Sequence, residues 1–174
     1  MLSYHSTKNS GFTLVEFIVY IGILSIVISG VVGFSYLAIK SRIKSDVIAT
    51  VEMQGARVSS IIGQTVRNAK TITSPAAGAS GSSLTITVVD GAKSPTVFDM
   101  NTGALRIKED AAANVNLTSS HVTASALTFT NLSQASTTGT IKYQFTLTYN
   151  NPGNALPYNY AKTFYGSATL RANP

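Results

Sequence analysis

Cysteine is absent from the 174 residues. Neither a disulfide framework nor a thiolate metal site is available, so any domain must be held by packing and strand pairing. Charge is scarce too. Asp, Glu, Lys and Arg make up 11% of the chain, and no Asp or Glu occurs from Ala111 to Pro174, where Lys142, Lys162 and Arg171 remain. The formal charge of +6 becomes +5 once Lys8 is set aside (+6 − 1), terminal groups left out. An anionic lipid, a polysaccharide or a nucleic acid such as DNA would suit that sign. Three charges over those 64 residues form no dense stripe, however, and the spacing fits a solvated surface.

Histidine is limited to His5 and His121. A nucleophilic relay would have to join His121 to a distant acid such as Asp90 or Asp99, so the residues point away from an enzyme. Asp90, Asp99, Glu109 and Asp110, the acids beyond residue 73, do not follow the spacing of a calcium loop. Backbone carbonyls with Glu109 and Asp110 are the one arrangement left for such an ion. No cofactor and no metal is expected.

What is present is a long apolar tract, Phe12 to Ile39, with Glu16 as its only formal charge. As a helix it would be about 42 Å long at 1.5 Å per residue, against a hydrocarbon core of about 30 Å. A carboxylate inside a bilayer costs about 2.5 kcal/mol or more and normally faces a protein group, a cation or water. Glu16 therefore either lies solvated at the headgroup level or meets a partner. A secretory signal has an apolar region of about 7–15 residues followed by a small-x-small site. This tract is longer, and Tyr36-Leu37-Ala38 puts a bulky Tyr where a small residue is needed.

Met1 to Ser10 is short and polar, carries His5 and Lys8, and leads through Ser10-Gly11 into Phe12-Thr13-Leu14-Val15-Glu16. This arrangement resembles the type IV prepilin and pseudopilin family. The resemblance implies a leader, residues 1–11, removed after Gly11 by a prepilin peptidase, with N-methylation of the new amino terminus at Phe12. It also implies that the Phe12 amine neutralises Glu16 of a neighbouring subunit as helices bundle. Partners would be other pilins or pseudopilins, the peptidase and an inner-membrane assembly platform. The chain would lie in the inner membrane as a single-pass protein with its C-terminal domain outside, and then in a periplasmic or cell-surface filament. Lys40, Arg42 and Lys44 outnumber the positive charges of the leader, and the positive-inside rule alone favours the opposite orientation. The peptidase site requires the family's orientation.

Beyond the tract, Val47, Val51, Val58, Ile62, Val66 and Ala69 recur at helical steps, with Glu52, Gln54, Arg57, Gln64 and Arg67 between them. The helix is expected to continue over 40–72, its apolar stripe lying on a sheet. Phe12 to Ala69 would then extend about 87 Å at 1.5 Å per residue. Gly55 and Gly63 interrupt the stripe where strands would approach closely. Gly30 and Gly33 lie where major pilins often carry a helix-breaking Pro. Pro75 to Ser83 reads as a flexible link.

Short alternating runs follow: Leu84 to Val89, Thr96 to Met100, Ala104 to Lys108, Val122 to Asn131, Thr140 to Tyr149 and Lys162 to Arg171. Asn101-Thr102-Gly103 marks a hairpin. Asn150 to Asn154 reads as a turn, and Tyr158-Asn159-Tyr160 as core packing or an exposed aromatic contact. The fold class is α+β and pilin-like: a long N-terminal helix packed on a C-terminal antiparallel sheet, with residues 73–174 as the β-rich domain. Gly55-Ala56-Arg57, Arg67 to Ile72, Leu84-Thr85-Ile86 and Thr169-Leu170-Arg171 resemble J-type pseudopilins or W-type minor pilins. A membrane-anchored binding module that never polymerises, with a carbohydrate-binding or adhesin-like β-domain, would show the same strands without needing Gly11 or Glu16.

Overall fold

The computed structural model describes residues 11–134 and 139–171. The expected leader therefore lies outside the described residues except for Gly11. Among the described residues one α-helix, α1 (Leu14–Arg67), is followed by nine strands. The chain divides into two compact units, the first ending at Arg42 and the second beginning at Ile43.

In the first unit the helix is apolar on every side and all of its side chains as far as Ser41 are exposed. It passes through Gly30 and Gly33 without a break. Ser25, Ser29 and Ser35 donate their hydroxyls to the carbonyls of Ile21, Ser25 and Val31 at 2.7–2.8 Å. Each hydroxyl is thereby satisfied within its own helix, as an apolar surround demands.

In the second unit the same helix is amphipathic. Val47, Val51, Val58, Ile62 and Val66 are buried, and they join one core with Leu84, Ile86, Phe98, Phe129, Ile141, Phe145 and Leu147 from the strands. One sheet has the order β1 (Ala69–Ser74), β3 (Leu84–Val88), β4 (Thr96–Asn101), β5 (Ala104–Glu109), β6 (Val115–Asn116). The other has the order β2 (Ser80–Gly81), β7 (Val122–Asn131), β8 (Thr140–Tyr149), β9 (Ala161–Thr169). All pairings are antiparallel. This is the α+β arrangement expected from the periodicities.

Two boundaries differ from that expectation. The helix stops at Arg67 rather than continuing to 72, and residues from Ala69 pair with β3. Ala69 continues the helical spacing of the apolar stripe and is buried in the strand, but Thr71-Ile72-Thr73 is β-branched and favours a strand. The segment from Pro75 is also tied down rather than free. The Gly78 amide donates to the Asn131 carbonyl (2.8 Å), the Asn131 amide to the Ala79 carbonyl (2.9 Å), and the buried Asn131 side-chain amide to the Pro75 carbonyl (2.8 Å).

The hairpin between β4 and β5 turns on Thr102 and Gly103, both at positive φ, which is the geometry of a type I′ turn. In β7 a bulge between Ser125 and Thr128 contains Ala126 at φ 51°. Its extra residue shifts the buried set from Val122 and Ala124 to Leu127, Phe129 and Asn131, so both halves of the strand face the core.

A polar clasp joins helix to β9. Lys162 Nζ donates to both Glu52 carboxylate oxygens (2.6 and 2.7 Å), and the Tyr160 hydroxyl donates to Oε1 (3.1 Å). The Lys162 hydrogen bond, assisted by that from Tyr160, holds the Glu52 carboxyl below its ordinary range, although desolvation opposes it. The same bond to Glu52 raises Lys162. Burial, followed by the bond to Glu52, raises Tyr160.

A depressed folded-state carboxyl contributes stability that is complete above its unfolded pKa and is lost as pH falls through the lower folded value. A raised lysine contributes stability that is complete below its unfolded pKa and is lost as pH rises through the higher folded value. Glu52→Gln is therefore expected to flatten both limbs of a melting-temperature profile, slightly, because the clasp is solvent-exposed. Circular dichroism melts of the detergent-solubilised chain across pH check this. A profile unchanged by the substitution would contradict it.

Candidate functional site

The start of α1 brings together the residues that the sequence singles out. Gly11, Phe12 and Thr13 precede the helix, and the Phe17 amide donates to the Thr13 carbonyl (3.1 Å), which makes Thr13 the N-cap. The Glu16 amide donates to the Thr13 hydroxyl oxygen (3.3 Å). Thr13-Leu14-Val15-Glu16 is thus a T-x-x-E capping sequence. Thr13 thereby positions the start of the helix, a role that the T-x-x-E spacing announces.

Glu16 lies in the first turn, where the partial positive charge of the helix end favours a carboxylate. It is exposed, and the three ion pairs among the described residues do not include it. Phe12 is 71% exposed, with its ring 5.6 Å from that of Tyr20. In the uncleaved chain the Phe12 nitrogen is a neutral peptide amide. Cleavage before it would create a cationic amine four residues ahead of Glu16.

Gly11 has open space where a Cβ would stand. No packing constraint accounts for glycine there, whereas Gly55 and Gly166 lie against the rings of Phe164 and Tyr143. α1 is also the one helix among the described residues long and apolar enough to cross a membrane, and none of that apolar window is buried.

The other candidates do not converge. His121 is exposed, and its backbone, not its ring, makes its hydrogen bonds, to Ser119 Oγ and the Asn150 amide. Asp99 receives two hydrogen bonds from Arg106, at 2.8 and 2.6 Å, and these hold the guanidinium pKa above its ordinary value. Asp90 caps the short 3-10 turn Gly91–Lys93 by accepting from the Ala92 amide (3.1 Å). Glu109 lies 3.6 Å from Lys93, and Asp110 occupies a positive-φ turn. Among the described residues no three His, Asp or Glu side chains are grouped to hold a metal ion.

The family model for the prokaryotic N-terminal methylation motif matches residues 6–32, which contain Gly11, Phe12 and Glu16. No curated protein and no solved structure gives a significant match to the chain. The match supports a prepilin-type signal of the pilin and pseudopilin kind, and with the long apolar helix it supports single-pass anchoring in a membrane.

Proposed function

We propose that this chain is a minor pilin or pseudopilin, a structural subunit matured after Gly11 and assembled with other such subunits into a pilus, secretion or DNA-uptake filament. The observation that carries the reading is the methylation motif lying on a helix half that is exposed and apolar all round, with one carboxylate in its first turn that makes no ion pair among the described residues. An apolar rod without cover needs lipid first and neighbouring helices afterwards. The Phe12 amine, once freed, supplies the charge that Glu16 lacks.

In this reading the leader faces the cytoplasm, the peptidase cuts before Phe12 and methylates it, and the β-rich unit lies outside. The J-type or W-type resemblance supports a place among the minor subunits. In this reading its role is assembly rather than catalysis; Asp99 bonds to Arg106 and Asp90 caps a turn.

The reading is tested by Gly11→Leu co-expressed with a prepilin peptidase. Gly11 makes no packing contact through a side-chain position, so the variant folds and inserts as before. Its leader is expected to stay attached, with processing reduced from near complete to undetectable by intact-mass analysis. Normal processing of the variant, or none of the parent chain, would count against a prepilin and favour a tethered domain that never polymerises.

A further inference from the structure

The loop between β8 and β9 presents the most exposed large apolar side chain among the described residues, Leu156 at 83%. The loop is built, not loose. Asn151 Nδ2 donates to the Ala155 carbonyl (3.0 Å) and to Asn159 Oδ1 (2.5 Å), while the Ala155 amide returns a bond to Asn151 Oδ1 (3.2 Å). Leu156–Tyr158 forms one 3-10 turn, and the Tyr158 ring stacks on Tyr149 with centroids 6.1 Å apart. From α1, Lys44 Nζ donates to the Asn159 carbonyl (2.6 Å) and lies 5.5 Å from the Tyr160 ring centre.

This combination has the chemistry of a bilayer interface. Asn150 to Tyr160 carries no charge, and the Glu52 carboxylate is occupied by Lys162 and Tyr160. Tyrosines with an apolar body and a polar tip favour the headgroup level. Lys44 is held beside them, and in sequence it follows Lys40 and Arg42 with no acid until Asp46. Basic residues next to a span gain about 1 kcal/mol each from an anionic leaflet. Lys44 follows Ile39, the last residue of the apolar tract, by five positions in sequence.

We infer that the β8–β9 loop, with Leu156 at its tip and Lys44 beside it, is a contact for the headgroup layer of an anionic phospholipid bilayer. The inference rests on the reading of Phe12 to Ile39 as a membrane span. It assigns the loop to the subunit while it waits in the membrane before assembly.

The absence of native cysteine gives the test. The full chain carrying Leu156→Cys, labelled with an environment-sensitive fluorophore, is reconstituted in vesicles of phosphatidylglycerol and phosphatidylcholine that contain lipids with a nitroxide near the headgroup. Quenching is expected, weaker in vesicles of phosphatidylcholine alone and weaker again when Lys44→Ala is added. A label at Val27→Cys, quenched by nitroxides deep in the acyl chains, reports the span separately. Quenching at Val27→Cys with none at Leu156→Cys overturns the loop contact and leaves the anchor intact. Loss at both sites overturns both. A Leu156→Cys label unaffected by lipid but crosslinked to another subunit assigns the loop to a protein neighbour and also overturns the inference.

Discussion

Glu16→Ala is expected to leave membrane insertion intact and to lower co-purification with partner subunits by about a hundredfold or more. The magnitude follows from the asymmetry of buried ion pairs. A matched amine and carboxylate in an apolar surround contribute little net attraction, but removing one member strands the other at a cost of about 3–5 kcal/mol. At about 1.4 kcal/mol per tenfold, that is two orders of magnitude or more in association. Insertion moves the other way, because the tract loses its one intramembrane charge. Glu16 also makes no side-chain ion pair within the described residues, so no packing of the subunit itself depends on it. Glu16→Gln keeps the shape and removes the charge, and it is expected to behave like Ala. Membrane fractionation followed by crosslinking separates the two effects. Wild-type incorporation of either variant would remove the charge-pairing argument.

Gly55→Val is expected to destabilise the β-rich unit by about 2 kcal/mol, within the usual overpacking range. The buried Gly55 faces Phe164 of β9, and a Cβ built at Gly55 would stand 2.0 Å from Cζ at the edge of that ring. Phe164 is partly buried, and moving its ring away would break its stack on the fully buried Phe145, with centroids 5.4 Å apart and planes at 19°. Helix propensity acts against this result, since glycine in a helix interior costs up to about 1 kcal/mol relative to Ala. Sterics win because the added methyls have no free volume in a close-packed core. Phe164→Leu alone opens a small gap, and the double variant is expected to recover much of the loss from Gly55→Val. Urea denaturation of the four chains gives the coupling. A stable single variant, or strictly additive losses, would show that the ring does not need the glycine.

Much of the fold was legible because its determinants are local. The apolar stripe from Val47 to Val66 carries the 3.6-residue period, and Thr140 to Tyr149 alternates cleanly, so those elements fall where expected. The hairpin at Thr102-Gly103 was marked by its turn residues. The end of α1 was not legible, because Ala69 satisfies both the helical stripe and a strand pointing inward. Nor was the tethering of Pro75 to Gly81, which depends on Asn131 more than fifty residues later. A small-residue segment reads as a linker until its hydrogen-bonding partner is known.

The site divides along the same line. Gly11, Phe12 and Glu16 are neighbours in sequence, so their grouping is a local pattern. The structure added Thr13 as the cap and the open space around Gly11. The clasp of Glu52 with Tyr160 and Lys162 spans 108 and 110 residues and follows from no local pattern. Tyr160 accordingly read only as packing or contact, whereas it donates to a carboxylate across the helix–sheet seam.

The central claim is that a freed, methylated Phe12 amine neutralises Glu16 of an adjacent subunit. Its most direct test is the amino terminus of the protein recovered from its native assembly, read by intact mass and fragmentation. The account predicts a chain that begins at N-methylated Phe12. A chain from that assembly that still begins at Met1, with Gly11 joined to Phe12, would contradict it.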